Sequence, residues 1–154
     1  MASSSWFATS NTYIDYQIRV YQNSQNVSNN TSNVTVEVWV KRTNSGYTTS
    51  GTGTVTCNIN GTNYTSSINT SDKITSTAIK LFGKTLTISH NSDGTKTLVT
   101  SASINHSQFT ASSHSYSYTL DTIARASTIS SLTSNVIVDG VTASSVSISR
   151  SSSS

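Results

Sequence analysis

TYIDYQIRVY, residues 12–21, and VTVEVWVKR, residues 34–42, decide the fold. In the first, Ile14, Tyr16, Ile18 and Val20 fall on one side of an extended chain, and Tyr13, Asp15, Gln17, Arg19 and Tyr21 on the other. In the second, Val34, Val36, Val38 and Val40 oppose Thr35, Glu37, Trp39 and Lys41. Successive side chains of a strand point to opposite faces, so each stretch reads as a half-buried strand with one dry and one wet face. If the two pair antiparallel with their dry faces together, the numbers of paired residues must sum to an even value. A sum of 56 sets Arg19 against Glu37, Asp15 against Lys41 and Gln17 against Trp39. Two opposite-charge pairs then agree with one register, each contributing roughly 0.2–1 kcal/mol.

Working outward, the same alternation recurs at the spacing of a sandwich. GTVTCNI puts Val55, Cys57 and Ile59 on one face, and Asn60-Gly61 then predicts a type I′ hairpin into TNYTSSI. TAIKLF and TLTISH read as two strands divided at Gly83-Lys84, and NSDG (residues 91–94) as a hairpin turn into TKTLVTSASI, where Leu98, Thr100, Ala102 and Ile104 share a face. SYSYTL, with Tyr116, Tyr118 and Leu120 inward, closes the set. Seven or eight strands in this length predict an all-β fold, an antiparallel two-sheet β-sandwich, either immunoglobulin-like or jelly-roll-like. The sandwich is assigned to residues 1–123, a linker to 124–134, and the opening strands of a second, truncated β module to 135–154, where NVIV and SVSIS restart the alternation.

Composition narrows the function. Only 10% of residues are charged, so solubility comes from neutral Ser, Thr and Asn, and a net charge of +3 is spread over single bases without a basic stripe. Nucleic acid is therefore not an expected partner. Pro is absent, which argues against linker or polyproline character. Cys57 is the single cysteine, so no disulfide closes within the chain, and its place in the inward set of its strand makes it a small buried hydrophobe. MASSSWFATS lacks the basic and apolar regions of a signal peptide, and no window approaches a membrane span; a reducing cytoplasm is the expected site of folding.

Catalysis finds little to use. Glu37 is the only Glu, and the aspartates are spread without an evident acid/base pair. His90, His106 and His114 lie without Cys or carboxylate at ligand spacing and read as solvated loop residues, so neither metal nor cofactor is expected. Trp39 is different, because alternation sets its indole on the wet face with Glu37, and the register brings Gln17 and Arg19 beside it, with Tyr13 and Tyr21 further along the same face. Those six residues form a candidate saccharide-binding surface: sugar C–H faces stack on rings while planar polar groups bond the hydroxyls. The competing reading has this face covered by a loop, a neighbouring subunit or the long QNSQNVSNNTSN connection, with Trp39 merely packed.

NTSNVTVEVWVKR, NSDGTKTLVTSASI and YTLDTIARASTIS together carry a resemblance. The strand entry N-x-S-x-V-T-V, the turn N-x-D-G-x-K-T-L and a closing T-I-P-R-A-S occur in this order in siphophage minor structural proteins, a family of unknown function from phages of Gram-positive bacteria. The chain resembles that family from about Trp6 to Thr128, with Ala124 where the pattern has Pro, which leaves φ there less restricted. The resemblance implies a non-enzymatic virion part of a tail or appendage, assembled in the host cytoplasm with other virion proteins and in several copies. Host recognition near the tail tip is the role it implies; with the aromatic, neutral-polar face read above, the expected ligand is host cell-surface polysaccharide, multiplied by oligomeric display. A purely structural sandwich is the alternative, and a bacterial surface adhesin repeat the third.

Overall fold

The chain was analysed as a computed structural model, which describes residues 1–125. Its strands are β1 (Ala2–Ser3), β2 (Phe7–Ala8), β3 (Ile14–Asn26), β4 (Thr31–Arg42), β5 (Gly53–Ile59), β6 (Thr62–Ile68), β7 (Ile79–Ser89), β8 (Thr97–His106) and β9 (Phe109–Thr119). One antiparallel sheet runs β3-β4-β7, with β1 and β2 both paired to the outer edge of β3; the other runs β6-β5-β8-β9. Seven long strands distributed in this way, with the third and fourth together on the second sheet, give the immunoglobulin-like rather than the jelly-roll winding. The second β module expected over 135–154, and most of the linker, lie outside the described residues.

The inward faces are those that alternation predicts. Ile14, Tyr16, Ile18 and Val20 of β3 and Val34, Val36, Val38 and Val40 of β4 are all at most 1% exposed. Across from them lie Val55, Cys57 and Ile59 of β5 and Leu98, Thr100, Ala102 and Ile104 of β8. Each apolar side chain removed from water in this way is worth roughly 1.5–3 kcal/mol. Burial pushes the Cys57 thiol up to about 12, so it packs as an apolar residue and carries no thiolate at neutral pH.

Register follows the same logic. β3 and β4 pair with Arg19 opposite Glu37, Gln17 opposite Trp39 and Asp15 opposite Lys41, the arrangement expected from the sum of 56. Asn60 and Gly61 both hold positive φ (51° and 90°) in the two-residue hairpin between β5 and β6, as a type I′ turn demands.

Three readings are corrected. TAIKLF and TLTISH are one strand, β7: Gly83 sits within the ladder opposite Glu37, and the interruption is a bulge in which Leu81 has no partner between Phe82 opposite Val38 and Lys80 opposite Trp39. NSDG is a tight turn but not a hairpin, because it carries the chain from β7 on one sheet to β8 on the other. There Gly94 has φ 85°, and a Cβ would lie 1.9 Å from the Ile123 carbonyl oxygen, so only glycine fits. Two of the three histidines are not solvated: His90 is buried between Ser32 and the Gly94 carbonyl and His106 is buried on Phe109, while His114, half-buried, stacks on Phe7 at 4.7 Å.

Tyr16 links the two sheets. Its fully buried hydroxyl lies 3.0 Å from the Ala102 carbonyl oxygen on β8 and 2.9 Å from that of Ser112 on β9, to one of which it donates, and 3.0 Å from His114 Nδ1. Burial pushes this phenol up to about 12, so it stays a neutral donor. Tyr16→Phe keeps the ring but strands these groups, and is expected to lower the unfolding free energy by about 1–3 kcal/mol in urea titrations. An unchanged midpoint would mean that the hydroxyl contributes nothing.

His106 gives a pH dependence. It is 4% exposed and accepts the Gln108 N–H at Nδ1 (3.1 Å). Burial holds its pKa below the ordinary histidine value. The unfolded chain then takes up the proton more readily, so the residue's contribution is whole above the unfolded value of about 6.5 and declines as pH falls below it. Stability measured from pH 7.5 down to 5 should fall, and should fall less steeply in His106→Gln.

Candidate functional site

The outward face of the β3-β4-β7 sheet holds the predicted residues, and pairing decides which of them meet. Gln17, Arg19, Glu37 and Trp39 come together because residues 17 and 39, and 19 and 37, are direct partners. Tyr21 lies four residues along β3 from Gln17, roughly 13 Å at the rise of a strand, and Tyr13 precedes β3 in the turn that enters it, near Arg42; neither joins the Trp39 cluster.

Within the cluster the polar groups bond one another. The Arg19 guanidinium lies over the Trp39 ring, 4.2 Å from its centroid, and its Nε donates to Gln17 Oε1 at 2.9 Å. Trp39 Nε1 donates to Glu37 Oε2 at 2.7 Å, while Lys80 Nζ on β7 donates to Glu37 Oε1 at 3.1 Å. Gln17 Nε2 donates in turn to the Ser4 carbonyl at 2.9 Å, and Ser4 Oγ accepts the Ile18 N–H at 3.1 Å. The result is an unbroken chain of contacts from β7 across β4 and β3 to the N-terminal segment. Glu37 is only 9% exposed, so its carboxylate is compensated by hydrogen bonds and a cation rather than by water.

The charge pairs expected across β3 and β4 are thus neighbours in register without being ion pairs. Arg19 turns onto Trp39, leaving Glu37 to Lys80, and Lys41 lies over the ring of Trp6, 4.3 Å from its centroid, instead of closing on Asp15. Glu37 is already compensated by Lys80 and the Trp39 N–H, and for Lys41 the indole face of Trp6 competes well with the partly exposed Asp15 carboxylate. The QNSQNVSNNTSN stretch does not cover the face either: it forms the end of the β3–β4 hairpin, with Asn30 at positive φ in its turn.

Sequence reasoning missed Ser4, Trp6 and Lys80. Trp6 and Ser4 sit in a segment without alternation, and their docking on β3 has no local signature. Lys80 reaches Glu37 because the bulge at Leu81 keeps it on the outward side, and it lies against Gly83, where a Cβ would stand 3.6 Å from Lys80 Cδ.

Among the described residues no three His, Cys, Asp or Glu side chains are placed to hold a metal ion. No helix there is long and apolar enough to cross a membrane.

Fold and face together define an immunoglobulin-like β module whose outward polar groups are largely satisfied by each other. Residues 6–154 match the family described as Siphovirus protein of unknown function (DUF859), and the chain belongs to that family; it is a phage protein. The match runs to Ser154, past Thr128, to which the resemblance of the motifs extends. No curated protein and no solved structure matches the chain.

Trp39 gives a direct readout of the cluster. In a Trp6→Phe background, where Trp39 is the remaining tryptophan, Arg19→Ala should raise acrylamide quenching, shift emission to the red and lower stability by about 0.5–1 kcal/mol. Quenching identical to that of the parent would mean that Arg19 does not shield the ring.

Proposed function

We propose that this chain is a non-enzymatic structural module of the siphovirus particle, held in a tail or appendage by contacts with other virion proteins and with further copies of itself. The observation that carries the reading is the closure of the outward face. Trp39 has Arg19 on its ring and Glu37 on its N–H, and Gln17 is held by Arg19 and Ser4. A surface whose donors and acceptors are already matched suits a rigid building block. An open platform for sugars would leave an indole face bare. Membership of a siphovirus family supports the same reading and removes the motive for a bacterial adhesin.

Recognition of host cell-surface polysaccharide is the second reading. Two tyrosines away from Trp39 support it: Tyr13 is 52% and Tyr47 65% exposed, the two exposed aromatic side chains among the described residues.

Particle composition tests the first reading. Peptides of this chain should be recovered from gradient-purified phage, and deletion of its gene should yield particles lacking a tail component or failing to assemble. Purified particles free of the chain would overturn the structural role. Intact particles that merely lose adsorption would favour the second reading.

A further inference from the structure

At the end of the sandwich where β3 begins and β4 ends, three segments enclose a shallow depression of about 430 Å³, lined by Asn11, Arg42, Thr48, Thr49, Ser50 and Gln108. The lining contains two amides, three hydroxyls and one charge, the Arg42 guanidinium. Tyr13 and Tyr47 stand near that guanidinium beyond the lining itself, with ring centroids 6.0 and 5.7 Å from Cζ, and both rings are more exposed than covered.

Backbone bonds between distant segments hold the depression. Ser10 N–H donates to the Thr110 carbonyl (2.8 Å), and Thr110 N–H to Ser10 Oγ (2.8 Å), fixing the approach to β3 against β9. Thr43 N–H donates to the Tyr13 carbonyl (2.8 Å), and Thr49 exchanges two bonds with Ile74 (2.9 Å each). Arg42 is positioned by Nε donating to Asn44 Oδ1 (2.9 Å) and Nη1 donating to Thr49 Oγ1. A guanidinium has five N–H donors, so these two bonds leave three for a ligand.

The depression also lies at a particular end of the molecule. The described chain leaves the sandwich at the other end, where Asp121 N–H donates to Gln22 Oε1 (2.8 Å) and Arg125 Nη1 to the Val27 carbonyl (3.0 Å) beside the β3–β4 turn. The thirteen residues of β3 separate the two ends by roughly 40 Å. A module continuing into further chain at one end would present the Arg42 depression at the other.

We propose that the Arg42 depression binds an anionic saccharide, with Arg42 meeting its carboxylate or phosphate, Tyr13 and Tyr47 packing against sugar C–H faces, and Asn11, Gln108 and the hydroxyls of Thr48 and Ser50 bonding its hydroxyls. The geometry fits that chemistry on three counts: a cation with no carboxylate in the lining to neutralise it, two exposed rings within about 6 Å of that cation, and neutral donors and acceptors in the lining. The inference rests on the recognition reading and gives it a place separate from Trp39.

The test is a nitrogen-15 NMR titration of the whole chain with a glucuronate-containing tetrasaccharide, a maltotetraose monophosphate and, as neutral comparison, chitotetraose. One anionic probe is expected to shift the amides of Thr48, Thr49, Ser50 and Gln108. Its affinity should fall at least tenfold in Arg42→Gln and in Tyr47→Ala, and stay unchanged in Trp39→Phe. Tyr47 is exposed, so its variant keeps the fold even where Arg42→Gln does not; thermal unfolding of both checks this. The response to uronate or to phosphate separates the two sources of charge. Chitotetraose binding as tightly as the anionic probes would overturn the anionic class. Shifts mapping to the Trp39 face would leave recognition standing and remove this site, and silence with all three probes would remove both.

Discussion

The Tyr16 hydroxyl marks the place where the two sheets must agree. A phenol can reach from β3 to carbonyls on β8 and β9 only if the sheets face each other at one offset, with Tyr16 on the dry side of its strand. The pairing of β8 with β9 shifts register between Ala102 and Ile104, and the extra residue on β9 brings Ser112 to Tyr16. Apolar contact alone would tolerate some sliding of one sheet over the other. A buried polar group with two acceptors does not, since any slide strands them at the free energy of an unmet hydrogen bond.

That offset propagates outward. With Ile14, Tyr16, Ile18 and Val20 committed to the interior, Gln17 and Arg19 have to project to the far side, and the β4 register then delivers Glu37 and Trp39 to them. β7 completes the arrangement through its bulge. Regular alternation would not hold both Lys80 and Gly83 on the outward side; the unpaired Leu81 between them does, which brings the ammonium to Glu37 and leaves room beside it. The outward network is in this sense set by the interior, because its members are the residues the interior excludes.

Much of this was legible in the sequence where period-2 alternation is strong. The inward rows of β3, β4, β5 and β8, the β3–β4 register and the Asn60-Gly61 turn follow from residue type and spacing, because each has a local cause. What escaped was non-local. Gly83 looks like a break until its partner strand is known, and NSDG looks like a hairpin because a tight turn reads the same whether its strands pair or part. The Trp39 environment was half legible. Parity placed the right four residues around the indole, but which charge covers the ring depends on Lys80 two strands from Arg19. Tyr13 and Tyr21 share parity with Trp39 without sharing its neighbourhood, since alternation fixes a face and not a position along it. The Arg42 depression joins residues from Asn11 to Gln108, and no spacing along the chain announces it.

β1 and β2, each two residues long, are paired to the outer edge of β3 with Ser4 bonded to Ile18 between them. The longest strand of the sheet would otherwise offer a straight row of open N–H and C=O groups. Split into two short pieces around Ser4 to Trp6, the covering segment has no run long enough to template another copy. At this edge a second copy brought alongside finds no long row of free backbone groups to pair with, which leaves β7, β6 and β9 as the sheet edges where strand could add to strand.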